Sequence, residues 1–172
     1  MDVFIESFDS GAPPSGKHTL FVSDKAYITH AHFRLYDYNR ENPKDVDFTK
    51  VNTELTNFKL YGPDVNILID KLSFLDHRGL FVQDLSAVFS YTKKQIQLQN
   101  LELKTPNSKI KAELTLNYKI EDFIHFNDKV KWDLKIHSAS VGTNDVRFFY
   151  DGLATNQFFY INRADFKGTL ND

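Results

Sequence analysis

Along most of the chain, apolar and polar residues alternate one for one. The plainest case is KIKAELTLNY, residues 109–118: Ile110, Ala112, Leu114, Leu116 and Tyr118 fall on one side, and Lys109, Lys111, Glu113, Thr115 and Asn117 on the other. That period of two predicts a half-buried β-strand. VKWDLKIH (130–137) repeats it, with Val130, Trp132, Leu134 and Ile136 inward. Turn-forming runs separate such segments at Gly62-Pro63-Asp64, Asp76-His77-Arg78-Gly79, Thr92-Lys93-Lys94 and Thr105-Pro106-Asn107-Ser108. Links this short permit antiparallel hairpins and leave no room for helical crossovers.

The alternation slips by one residue at polar pairs. In IQLQNLELK, Ile96 and Leu98 are followed by Gln99-Asn100, and the apolar residues then move to Leu101 and Leu103. The same slip occurs at Thr29-His30, Thr56-Asn57, Asp70-Lys71, Gln83-Asp84 and Asn162-Arg163. A β-bulge does this: one extra residue is absorbed, the strand bends, and the side chains beyond it return to the same face. Bulges in neighbouring strands would crease the sheet. The fold expected is mostly β, a curved antiparallel meander forming a trough. Its concave face is apolar, and Lys, Glu, Gln, Asp and Asn line the convex one. An apolar sheet face more often meets the protein's own core than a ligand, so a filled core stands beside a groove as a reading.

Two stretches break the pattern. EDFIHFNDK (121–129) predicts one or two helical turns, with Asp122 as a cap and Phe123 and Phe126 three apart. TNDVRFFYDG (143–152) predicts another, starting at Asn144 or Asp145 and ending near Gly152. NPKDVDFTKVN (42–52) reads as a loop docked on the sheet. Residues 1–19, containing DSGAPPSGKH, read as a linker or disordered lead-in, and 20–172 as one all-β domain.

Composition narrows the function. The chain has 172 residues and a formal charge of -2, so it lacks the basic excess needed to bind nucleic acid. Aromatics make up 15%, which favours strands, and cysteine is absent, which excludes disulfides, thiolate metal sites and cysteine catalysis. No apolar run is long enough to span a membrane as a helix. The N-terminus has no signal-peptide pattern, so work outside the cytoplasm would need a targeting segment beyond this sequence.

Candidate chemistry is thin. His30 and His32 share a strand but lack a third zinc ligand. His18, His77, His125 and His137 show no ligand spacing. Asp45 and Asp47 could cap a turn, and as a carboxylate dyad they have no partner. There is no Gly-x-Ser-x-Gly elbow and no phosphate loop. Trp132 reads as core. No enzyme, metal or cofactor is expected.

The run LSFLDHRGLFVQDLSAVFSYTKKQIQLQNLELKTPNSKIKAELTLNY (72–118) resembles the repeat of TamB-type translocation and assembly module proteins of the AsmA-like superfamily. Leu72 and Phe74, Gly79, Leu85, Ile96 and Leu98, Leu101 and Leu103, Thr105, Ser108 and Ile110 carry the likeness. KIEDFIHFNDKVKWDLKI is similar to the family's short helical insert, and FKGTLND to its closing strand. The resemblance covers roughly 20–172. It implies a piece of a periplasm-spanning chain anchored in the inner membrane, with anchor and C-terminal domain outside this sequence. It also implies an apolar groove for phospholipid acyl chains, adjacent repeats of the same chain as neighbours, and a TamA-like outer-membrane barrel as partner. The groove residues expected are Ile67, Ile69, Leu72, Phe74, Val82, Leu85, Phe89, Ile96, Leu98, Leu101, Leu103, Ile110, Leu114 and Leu116. Two other functions stay open: a protein-interaction module that accepts an added strand, and a lipocalin-like binder of a small apolar ligand. Trp132 lacks the Gly-x-Trp context of the latter.

Overall fold

Alternation is realised as strands wherever it was read. A computed structural model describes residues 19–35, 46–148 and 150–171. In chain order the strands are β1 (Leu20–Leu35), β2 (Val46–Tyr61), β3 (Asp64–Asp76), β4 (Phe81–Thr92), β5 (Gln95–Lys104) and β6 (Lys109–Asn117). A 3-10 turn (Ile120–His125) and helix α1 (Phe126–Lys129) lead into β7 (Lys131–Gly142). Helix α2 (Thr143–Val146) precedes β8 (Phe158–Ile161) and β9 (Ala164–Gly168). All strands belong to one open antiparallel sheet whose spatial order follows the chain from β1 to β8, with β9 also pairing β7. The tight turns form where expected. Gly62 supplies its turn with φ 57° and Gly79 with φ 99°, values open to a residue without Cβ.

The expected linker lies outside the described residues except for Thr19. Residues 42–45 lie outside them too, but the loop reading of 42–52 is corrected from Val46 onward. That stretch is the start of β2, in register with β1 through Val46–Leu35, Asp47–Arg34 and Phe48–Phe33. Loop-forming Asn and Pro at its head hid the strand that follows.

The polar pairs mark real irregularities. Register shifts flank Thr29-His30, Asp70-Lys71, Gln83-Asp84 and Gln99-Asn100, and a shift follows Thr56 at Asn57. At Asn162-Arg163 the slip separates β8 from β9. Two further shifts lie at Lys50 in β2 and His137 in β7. The row that forms differs from the run of consecutive strands expected. It uses alternate strands: the bulges of β1, β3, β5 and β7 line up through residues 52–55 of β2, 86–87 of β4 and 111–113 of β6. It ends at the β8–β9 break, which lies beside residues 136–139 of β7. Such a row bends the sheet along one line.

Side-chain hydrogen bonds hold the bulges at His30, Lys50 and Lys71. The His30 amide donates to Asn52 Oδ1 at 3.0 Å, Asn52 Nδ2 donates to the Lys50 carbonyl at 2.9 Å, and Thr53 Oγ1 donates to the Lys71 carbonyl at 2.9 Å. On the polar face, cross-strand ion pairs join Lys25 to Glu54 (3.1 Å) and Lys111 to Glu102 (2.6 Å). Being exposed, each contributes little to stability.

Candidate functional site

Cross-strand partners point to the same side of a sheet, so the register shows which residues share a face. Ile67 faces Phe89, Leu72 faces Leu85, Phe74 faces Val82, and Ile69 faces Ala87. Leu85 then meets Leu103, and Phe89 meets Leu98. Ile96 meets Leu116, Leu98 meets Leu114, Leu103 meets Ile110, and Leu101 meets Ala112. Every residue expected to line the groove therefore stands on one continuous face. The expected groove residues stop short of its flanks: Leu55 beside Ile69 on one side, and Trp132, Leu134 and Ile136, read from the sequence as inward, beside β6 on the other. Of the expected residues only Val82 (5% exposed) and Leu116 (9%) are buried. The rest are half-buried, flanked by strand neighbours.

The non-strand segments stand at the two ends of this face. At one end the 3-10 turn and α1 bring Phe123 and Phe126 over it. Tyr118 and Phe123 lie 4.5 Å apart, and Phe126 sits edge-on to Trp132 at 5.9 Å. With Leu116 and the wholly buried Val130 they make the core cluster of the molecule. Asp122 acts as predicted in kind but not in position: its carboxylate accepts from the Lys119 amide at 2.8 Å, so Lys119 is the N-cap. The amides of Leu170 and Asn171 donate to the Asn127 carbonyl, tying the insert to the residues after β9. Burial raises the Tyr118 phenol above its ordinary range, and its hydroxyl donates to the Thr92 carbonyl at 2.8 Å.

The opposite end is polar. Thr105 and Ser108 continue the apolar faces of β5 and β6 into their hairpin, and Asp145 of α2 sits on them. Its Oδ2 accepts from the hydroxyls of Thr105 and Ser108, and its Oδ1 from Asn107 Nδ2 at 2.9 Å. Ser108 Oγ also accepts from the Gly142 amide at 3.1 Å. A Cβ on Gly142 would fall 2.6 Å from Asn107 Cβ, so only glycine lets β7 pass so close to the turn. Burial pushes the Asp145 carboxyl up, but donors Asn107, Ser108 and Thr105 outweigh it and leave it below its usual range. A carboxylate so held is a poor base, and Ser108 has spent its proton on it. The cluster clamps α2 and the end of β7 to the β5–β6 turn. Helix α2 starts at Thr143 and ends at Val146, earlier at both ends than the pattern suggested. Beyond it Phe148 reaches the β3–β4 turn, its Cε1 3.2 Å from where a Cβ on Gly79 would lie. In that turn Asp76, 3% exposed, accepts from the amide, Nε and Nη2 of Arg78.

Among the described residues no other cluster of chemical groups assembles. His32 Nε2 lies 2.6 Å from Asp47 Oδ1, and Arg34 donates to Oδ2, holding the Asp47 carboxyl below its usual range through His32 first and Arg34 second. Asp47 is thus half of an ion-paired cluster between β1 and β2, while Asp45 lies outside the described residues. Among the described residues no group of three His, Cys, Asp or Glu could hold a metal, and no helix is long and apolar enough to cross a membrane. The chain matches no model of a known protein family, no curated protein and no solved structure.

Proposed function

We propose that this chain is a segment of a TamB/AsmA-like envelope protein, and that its trough shields phospholipid acyl chains between inner and outer membranes. One observation carries the reading: a single apolar face runs unbroken across neighbouring strands, while the helical pieces cover its ends and leave Leu98, Leu101 and Leu103 half-exposed between them. Contiguous, partly exposed apolar surface is what interaction and ligand sites use, and it supports this reading. The mechanism is passive. Tails settle on the apolar strands, at roughly 0.8 kcal/mol per buried CH₂, and headgroups remain in water at the rim. A half-buried chain of about sixteen carbons would gain roughly 6 kcal/mol on that scale. Direction would come from the membrane ends. The resemblance in residues 72–118 adds the envelope setting and a TamA-like barrel as partner.

Native mass spectrometry of protein purified without detergent, with lipid extraction in parallel, tests this. Phospholipid should co-purify and be lost in Leu101→Asp, whose urea midpoint should stay close to that of the parent. Leu116→Asp should unfold the domain, because it places an unpaired charge in the buried cluster. A protein that stays lipid-free after incubation with liposomes would sink the proposal.

A further inference from the structure

Both lateral edges of the sheet are open among the described residues: β1 pairs only with β2, and β8 and β9 only with β7. Natural edges are blunted by prolines, charges or brevity. β1 has 16 residues and no proline; of its charges Asp24, Lys25 and Arg34 the last two are paired to Glu54 and Asp47 of β2, and it leaves Phe21, Val22, Ile28 and Phe33 exposed. β8 is short, but it reads Phe-Phe-Tyr-Ile without a charge, with Tyr160 77% exposed.

Direction and phase say what fits there. Every adjacent pair is antiparallel, so β1 runs opposite to β8 and β9, as the next strand of the sheet would have to. The aligned bulges fall on alternate strands, so the strand after β8–β9 is due one at the level of Asn162-Arg163. β1 carries its bulge at Thr29-His30. Placing these two pairs opposite each other sets Ala31 against Ile161, Ile28 against Ala164 and Ala26 against Phe166. In each case small meets large, and all six residues belong to the apolar face. On the polar face Lys25 falls against Lys167, each already paired in its own copy, with Glu54 and Asp133 at 3.1 Å.

We propose that the β8–β9 edge of one copy of this chain receives β1 of a second copy, antiparallel and with Ile28 opposite Ala164, so that the apolar face continues from copy to copy. The contact is head-to-tail and leaves a free edge at each end, so assembly is open-ended. In the reading above the same two edges would meet adjacent repeats of a longer chain; the test here concerns the 172-residue chain itself and does not depend on what the trough holds.

Because the chain has no cysteine, engineered pairs report the register directly. In Ile28→Cys/Ala164→Cys the two Cα atoms would stand about 4.5–5.5 Å apart, within disulfide reach. In the control, Ile28→Cys/Phe166→Cys, the pair is displaced along the strand to about 7–8 Å, beyond easy reach. Under mild oxidation the first variant should give a ladder of covalent dimers and larger species, and the control several-fold less. Sedimentation of the unmodified protein should show a mean mass that rises with concentration. Equal cross-linking in both variants, or none, overturns the proposal. So does a disulfide confined to one chain, which would mean the sheet closes on itself, and so does a monomeric mass at every concentration.

Discussion

His30, Lys50, Asn57 and Asn100 share one backbone state, with φ between 52° and 55°, and each is the second member of a polar pair. Asn accepts this left-handed state readily, whereas most residues lose about 1–2 kcal/mol in it. The chain therefore places Asn at two of these bulges and tolerates strain at Lys50. Lys50→Gly should raise the urea midpoint, stabilising the fold by about 1 kcal/mol, and Asn100→Val should destabilise it by about 1–2 kcal/mol. If both variants melt with the parent, the bulges are not held by this backbone state. Asp145 makes a second prediction at this scale. Its folded carboxyl is held below the ordinary aspartate value of 3.8, so its contribution is present above that pH and is lost as pH falls through the lower folded value. Asp145→Asn should be less stable at pH 7, by about 1.5–3 kcal/mol for a hydrogen-bonded buried charge. Its stability should also fall less steeply than the parent's in denaturation series taken below pH 4. A parallel acid slope in both proteins would show that other carboxylates, Asp76 and Asp47 among them, carry the whole effect.

The insert between β6 and β7 is the element on which the core depends. Phe126 is only half-buried, yet it bridges Phe123 and Trp132. Phe126→Ala should destabilise by about 2–3 kcal/mol, less than the loss of a fully buried Phe. It should also shift the emission of Trp132, the one tryptophan, to the red. Unchanged emission would mean that the insert does not cover Trp132 in solution. The insert was legible in the sequence because Phe123 and Phe126 break a period of two. The strands and their shared face were legible for the same reason, since one parity rule covers every pair from Ile67–Phe89 to Leu103–Ile110. The two missed bulges carry the same signal as the others. Thr49-Lys50 lies between Phe48 and Val51, and His137-Ser138 between Ile136 and Ala139. The first was masked by the loop-like run before it, and the second by a small alanine that hardly registers as apolar. The Asp145 clamp had no local sign at all. Its partners Thr105, Asn107 and Ser108 are 37 to 40 residues away, and an Asp near a helix start reads as a cap.

At the scale of the whole molecule, strand order equals chain order, and nearly all pairing is between neighbours in sequence. Loop closure is therefore cheap at every step, and rapid folding follows for so β-rich a chain. Each strand from β2 to β7 leans on the strands either side of it, so cooperation passes from hairpin to hairpin, as in repeat arrays. The two flanks are unequal. β7 is hydrogen-bonded to β6 on one edge and to both β8 and β9 on the other, whereas β1 is held by β2 alone. Amide exchange should therefore be graded, fastest at β1 and slowing through β3 and β5 toward β6 and β7. One exchange rate common to all strands would show instead that the sheet opens as a unit. A graded sheet behaves as a zip fastened at one side: pulled from its N-terminal flank it would part hairpin by hairpin at low force, and pulled across β7 it would resist.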